Sequence, residues 1–370
     1  MSDPFTYRAV YWVWLHELRG IPLGIKRILI QALGNPKAVF HASFSDITTI
    51  LQEHHNTLRY VAETPHRERL SALWSQRNLK KAQHILTTHE THDIKTLCGD
   101  DWRYRDRFEQ DHQTPLVLYY RGKLLPPDVP IVGVIGSRSC TSYGRKVTKA
   151  AVKEAVAKQE IVASGLSIGL DALAHETTIA LGGTTYAFIP NGLHTVQPAS
   201  QERLMENIIA HGAVLTPYPY GKESLPFRFI QRNEILASWC DPLIVVEARL
   251  KSGSVLTARK ALANGKRVFA VPNSLLEPRS GGTNQLLAAG ATAYLNDELL
   301  DNHNGPIMQG NQRQVVKIIT ALEGHPLGTG ELVASVGDES ALVMESLAAM
   351  ELAEQIEYRS DGKWHRVGGP

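Results

Sequence analysis

Five segments of the 370-residue chain set serine, glycine and arginine where an anion could be held. The first is Val132-Gly133-Val134-Ile135-Gly136-Ser137-Arg138, running on to Tyr143-Gly144-Arg145. An apolar strand there enters Gly-Ser, then Arg, then a helix. Glycine lets the backbone approach an anion closely. Serine hydroxyls and backbone N–H groups donate to phosphate oxygens, and a helix N-terminus favours negative charge. Arg138 can add a bidentate contact. The spacing is neither GxxxxGK[ST] nor GxGxxG, so neither of those nucleotide loops is implied. Taken alone, the segment is also compatible with a plain β-α turn whose arginine faces solvent.

The second segment is Ala163-Ser164-Gly165-Leu166-Ser167-Ile168-Gly169-Leu170-Asp171, followed by His175. It repeats the strand-end Ser-Gly, with Asp171 offered as a helix cap. His175 is expected to pack or hydrogen-bond structurally, because no second histidine stands at metal-ligand spacing from it. The third, Leu225-Pro226-Phe227-Arg228-Phe229-Ile230-Gln231-Arg232-Asn233, interleaves rings and cations and is read as a loop. Rings that stack on bases beside arginines that meet phosphates suit a nucleic-acid single strand. A loop that buries its rings and leaves Arg228 solvated is the alternative. The fourth is Val246-Glu247-Ala248, then Lys251-Ser252-Gly253-Ser254 with Thr257. Glu247 is expected to ion-pair with Arg138 or Arg232, since no partner acid, nucleophile or metal-ligand set accompanies it. The fifth is Gly281-Gly282-Thr283-Asn284. Together these segments describe an anion-binding crevice without a catalytic constellation. No catalytic residue, metal ligand or cofactor is expected.

Elements that alternate between strand and helix must position these segments. Leu116–Tyr120, Ile131–Ile135, Ile161–Ala163, Thr184–Ile189, Leu243–Val246 and Val268–Val271 read as strands. Gly144–Lys158, Asp171–Leu181, Gln201–His211, Val255–Ala263 and Asn284–Ala289 read as helices. Repeated β-α units imply an α/β fold with a parallel sheet and helices on both faces. Ligands in such sheets sit at the carboxyl ends of the strands. Residues 1–110 read as a separate helical domain, 111–300 as the α/β domain and 301–312 as a polar linker. In 313–370, helical patterns precede Gln355-Ile356-Glu357-Tyr358, a polar turn and Lys363-Trp364-His365-Arg366-Val367, which suggests a winged-helix domain.

Charge points to the same place. Residues 131–297 hold 17 basic and 12 acidic side chains, a balance of +5, whereas 313–370 hold 5 and 9, a balance of −4. The basic surplus therefore lies with the crevice, and the tail is a poor phosphate binder. No apolar run approaches the roughly 18 residues that a membrane span needs. Asp3, Arg8, His16 and Glu17 interrupt the start of the chain, so no secretory leader is expected there. Cys98, Cys140 and Cys240 lie far apart, which fits a reducing cytoplasm.

These segments resemble the DNA-processing protein A family (DprA, also called Smf). The resemblance rests on Ile135–Arg138, Ser164–Leu166 through Gly169–Asp171 and Ala174-His175, Arg232-Asn233, Val246–Ala248, Ser252–Ser254 with Thr257-Ala258, and Gly282–Asn284 with Gly290-Ala291, in the family's order. It implies an extended Rossmann-like core, with residues 15–45 similar to a sterile-alpha-motif (SAM)-like helical domain and 313–367 to a winged helix. It further implies binding of single-stranded DNA without strong sequence preference, a homodimer, loading of the recombinase RecA during natural transformation, and no attributed catalysis. By motif position Ser137, Arg138, Ser164, Gly165, Arg232, Asn233, Ser252, Gly253 and Thr257 would line the phosphate site, with Phe229 near a base; read from the residues themselves, Gly136 and Arg228 join them as DNA-binding. The chain departs from the pattern in places. Glu234 stands where the family has an arginine, Gln197-Pro198 where it has Tyr-Pro, and Pro272-Asn273 where it has Pro-Gly. The competing class is a nucleotide phosphoribohydrolase of the lysine-decarboxylase-like group, but its Pro-Gly-Gly-x-Gly-Thr segment is missing. A duplex-binding transcription factor is opposed by the acidic tail.

Overall fold

The structure is a computed structural model and describes residues 4–54, 64–75, 77–110, 114–296, 317–322, 325–337, 340–352 and 355–367. The linker expected at 301–312 lies outside the described residues. The chain divides into two compact units, 1–295 and 296–370.

The first unit is built on a nine-stranded sheet. Its strands are β1 (Lys95–Cys98), β2 (Val117–Gly122), β3 (Ile131–Ile135), β4 (Ile161–Ser164), β5 (Thr185–Phe188), β6 (Gly212–Thr216), β7 (Leu243–Val245), β8 (Val268–Ala270) and β9 (Thr292–Ala293), ordered β1-β2-β6-β5-β4-β3-β7-β8-β9. From β6 to β9 all neighbours pair in parallel; β2 joins β6 antiparallel and β1 joins β2 antiparallel. The central strands are buried along their whole length, as continuous Val/Ile/Ala runs require when helices cover both faces. This is the parallel α/β sheet expected from the alternating pattern, and the extended Rossmann-like core that the resemblance implied. After β3 the chain winds outward through β4, β5 and β6, then returns to lay β7 on the other side of β3. The order reverses between β3 and β7, and a crevice opens at that point past the strand ends.

Several helix starts face this crevice. Thr141 caps the helix Ser142–Ala157 by accepting from Gly144 N–H at 3.0 Å, and Ser252 caps Gly253–Ala263 by accepting from Val255 N–H at 3.3 Å. Such caps are worth about 1 kcal/mol each. The segment 225–233, expected as a loop, opens a 14-residue helix, Pro226–Trp239, with Pro226 in its first turn. Arg232, Ile235, Leu236 and Trp239 form its buried stripe at i, i+3, i+4 and i+7. Proline is pre-shaped for a first helical turn and lacks only an N–H that would have no partner there.

The N-terminal helices pack into the same apolar core as the sheet. Trp12, Leu15 and Trp74 share it with Tyr119 and Trp239. Trp14 sits edge-on to Phe40 at 4.9 Å and to Trp74 at 6.0 Å. The second unit has its own core around Leu332, Val343, Leu347, Ile356 and Trp364. Its described elements include the helices Thr329–Val336 and Ser340–Leu352 and an antiparallel pair, β10 (Ile356–Tyr358) with β11 (Trp364–Arg366).

Candidate functional site

The crevice at the β3–β7 reversal is a cleft of about 480 Å3. Gly136, Ser137, Arg138, Gly165, Phe229, Arg232, Asn233, Ser252, Gly253 and Thr257 all line it. Ten of the twelve residues singled out from the sequence thus meet in one place. Arg228 lies on another face of the helix Pro226–Trp239, its guanidinium 4.7 Å from the Tyr218 ring centroid. Ser164 is fully buried beneath the cleft, where its hydroxyl donates to the Val134 carbonyl at 2.6 Å.

The turn after β3 is pinned from two sides. On one side Asp171 accepts from Gly136 N–H at 3.3 Å, and Leu170 N–H donates to the Ser137 carbonyl at 3.2 Å. On the other, Glu247 accepts from Thr141 N–H at 3.0 Å and from the Thr141 hydroxyl. The turn also folds on itself, since Ser137 Oγ donates to the Ser139 carbonyl at 2.9 Å. The fit leaves no room at Gly169. Its φ is +92°, and a Cβ there would lie 2.4 Å from the Ser137 carbonyl oxygen and 2.6 Å from that of Arg138. Gly169, not Asp171, is the N-cap residue of the helix Leu170–Ala180.

The ion pair expected for Glu247 therefore forms elsewhere. Glu247 is fully buried and holds the Thr141 cap. Asp171 is the carboxylate that faces Arg232. Arg232 is only 4% exposed; it donates to the carbonyls of Gly165 and Phe188, the latter at 2.6 Å, and to Asn233 Oδ1 at 2.8 Å. Burial pulls its guanidinium down to about 10, opposed by the Asp171 charge. Burial likewise raises the Asp171 carboxyl, opposed by Arg232. One arginine thus ties the ends of β4 and β5 to the helix Pro226–Trp239.

Above this buried layer the cleft carries unshielded cations. Arg138, Arg249 and Lys251 are exposed, and Arg138 has no hydrogen-bond or ion-pair partner among the described residues. The guanidiniums of Arg138 and Arg232 each lie 5.9 Å from the centroid of the Phe229 ring. Such a wall can hold oxyanions and present a ring to a flat partner.

His175 lies behind the cleft. The Thr185 hydroxyl donates to the Val162 carbonyl at 2.8 Å, so His175 Nδ1–H donates to Thr185 Oγ1 at 2.6 Å. Burial pulls its imidazole down to about 3, which keeps it neutral. Among the described residues no group of three or more His, Cys, Asp or Glu side chains could hold a metal.

The model of the family described as DNA recombination-mediator protein A matches residues 95–303. The chain belongs to this family. The DNA processing protein DprA of Streptococcus pneumoniae is 36% identical over 180 residues, which are 49% of this chain and 64% of that protein. That of Bacillus subtilis is 31% identical over 219 residues, 59% of this chain and 74% of the relative. The match thus spans a little under two thirds of the first relative's length. Among solved structures, S. pneumoniae DprA superposes with a TM-score of 0.63 at 27% identity, over 79% of this chain and 97% of that one. The Helicobacter pylori family member, solved to show its single-stranded DNA binding mode, gives 0.51 at 28% identity over 57% and 94%.

In this member of the family, Glu234 pairs with Lys260 on the outer side of the helix Pro226–Trp239. Sequence reasoning passed over Arg249 and Tyr218. Arg249 follows β7 at the cleft mouth, and its place after the strand Leu243–Val245 was the available signal. Tyr218 lies in a proline-rich turn with no periodicity to mark it.

Proposed function

We propose that the cleft binds single-stranded DNA, holding backbone phosphates over the Gly136–Ser139 turn and the Ser252 helix start while Phe229 stacks on a base. The observation that carries this reading is the Phe229 ring beside two guanidiniums in a crevice lined by serine, glycine and cationic side chains. Stacking on an aromatic face tolerates any base, and cations along the same groove follow the backbone. The binding mode of the H. pylori family member supports it.

The chain then acts as a mediator and not as an enzyme. It shields the strand, works as a homodimer and delivers DNA to the recombinase RecA in the cytoplasm during natural transformation. The second unit serves as an auxiliary winged-helix module. The test is a fluorescence titration of single- and double-stranded oligonucleotides of equal length over a range of salt. The single strand should bind at least tenfold tighter, with affinity falling steeply as salt rises. Equal affinity for the duplex would overturn the reading.

A further inference from the structure

The helix Pro226–Trp239 has two flanks. Phe229 and Asn233 turn toward the central cleft, while Arg228, Gln231 and Ile235 turn toward a second cleft, also about 480 Å3, between this helix and the N-terminal helices. Phe227 and Ile230, both more than half exposed, form the ridge between them.

The second cleft is lined by four cations: Arg19, Lys26, Lys222 and Arg228. Its two carboxylates do not offset all four: the Glu17 charge is shared among Lys81, Lys26 and Lys222. Glu17 bonds Lys81 at 2.7 Å, and Glu234 bonds Lys260. Arg19 and Lys222 have no ion-pair partner among the described residues. Lys26 is 6% exposed, and its ammonium, with three protons to donate, meets one acceptor, the His16 carbonyl at 2.7 Å. Burial draws that amine down to about 8, and the Glu17 charge, shared with Lys81, only partly opposes it. Arg228 donates from its guanidinium to the Glu223 carbonyl, while its Nε is buried with no acceptor among the described residues. Its guanidinium is held over Tyr218, whose hydroxyl donates to Gln231 at 2.6 Å. Donors that are buried and only partly satisfied are costly, so a pocket that gathers four cations against one shared carboxylate favours an anion.

We infer that this second cleft takes phosphate oxyanions of the same DNA strand, which leaves the central cleft across Phe227 and continues over Arg228 toward Lys26 and Lys222. The inference rests on the function proposed above and lengthens its track. Arg228 and Phe229 are adjacent in sequence and open into different clefts, so the two grooves flank the same helical turn. The crossing falls on the first turn of the helix, at its positive end. One turn further on, Glu234 stands at the rim of the second cleft.

The test uses the full chain and two labelled oligothymidylates, one of about six and one of about twenty nucleotides. The double variant Arg19→Ala/Lys222→Ala removes two exposed or half-buried cations and leaves the core untouched. It should weaken the long strand about tenfold and lower its salt slope by about 1.4, at about 0.7 for each phosphate that is no longer neutralised. The short strand should bind as before. An equal loss at both lengths would assign these cations to the central cleft and overturn the inference, as would no loss at either length. Thymidine monophosphate is titrated in parallel. If it binds the unaltered protein and not the variant while the long strand is unaffected, the occupant is a free nucleotide and the strand assignment falls. If neither oligonucleotide binds the unaltered protein, it is the proposed function that fails.

Discussion

Arg138 and Arg232 hold their guanidiniums at the same distance, 5.9 Å, from the Phe229 ring, yet they are set in opposite ways. Arg232 is buried on two backbone carbonyls and Asn233, facing Asp171. Arg138 rides on an exposed turn with no hydrogen-bond or ion-pair partner among the described residues. The same side chain serves as internal scaffold on one wall of the cleft and as a free ligand on the other. The difference follows from the strands beneath. The ends of β4 and β5 leave carbonyls that need a donor, and Arg232 supplies it. The turn after β3 already has its backbone satisfied by Asp171, Leu170 and Glu247, so Arg138 has nothing inside to bind.

The largest effect should come from breaking the buried wall. Arg232→Met leaves Asp171 without its cation and two carbonyls without their donor. Removing one member of a buried pair costs about 3–5 kcal/mol, to be read from denaturant unfolding. The pH dependence has a definite sign. Burial already raises the Asp171 carboxyl, and losing Arg232 raises it further. The folded variant then holds a proton that the unfolded chain releases, so its stability falls as pH rises above the ordinary carboxylate range. The deficit against the unaltered protein should be widest near neutrality and narrow in acid. Adding Asp171→Asn to Arg232→Met should recover part of it. A deficit that does not change with pH would mean that the pair is not what Arg232 contributes.

Arg138→Ala should do the reverse. Stability should change by less than about 0.5 kcal/mol, as for other exposed substitutions. Affinity for a single strand should drop about 10- to 100-fold, the worth of a charge-assisted contact. The salt slope should fall by about 0.7. Phe229→Ala is the internal control. Its loss of affinity should be of similar size, since stacking is worth about 1–3 kcal/mol per base, but the slope should stay where it was. A slope that moves equally in both variants would erase the distinction between ring and cation.

The exposed wall was far more legible in the sequence than the buried one. β3 forms over the expected residues 131–135, and its Gly-Ser-Arg turn stands at the strand end as the pattern required. Glycine and serine after a β-branched run signal a tight approach whatever surrounds them. The helix Pro226–Trp239 was hidden because one position of its buried stripe is Arg232, which breaks the apolar period that marks a helix. Glu247 was matched to the wrong partner because a sequence does not say which loop a strand end faces. Only the sheet order, with β7 beside β3, brings Glu247 to Thr141 and leaves Arg232 to Asp171. The strands Lys95–Cys98 and Gly212–Thr216 were passed over. The first is a four-residue edge strand and the second starts on Gly212 directly after a helix, so neither gives a period to read.

The smallest effect concerns the rim of the second cleft, where Glu234 stands at the position to which the resemblance assigned an arginine. Its pair with Lys260 is partly exposed, with side-chain exposures of 34% for Lys260 and 27% for Glu234. Such pairs contribute about 0–1 kcal/mol, so Glu234→Arg should cost little stability. It should change the field over the helix start by two charges and release Lys260. The gain in single-strand affinity is expected at about threefold in low salt, and it should vanish as the Debye length shortens below about 8 Å at higher ionic strength. The gain should be larger for a long strand than for a short one, because a short strand held against Phe229 and Arg138 does not cross the ridge. Weaker binding of the long strand, measured in the same titration, would instead mean that Glu234 and Lys260 together hold the helix Pro226–Trp239 in register for Arg232, and that the two walls of the cleft are coupled.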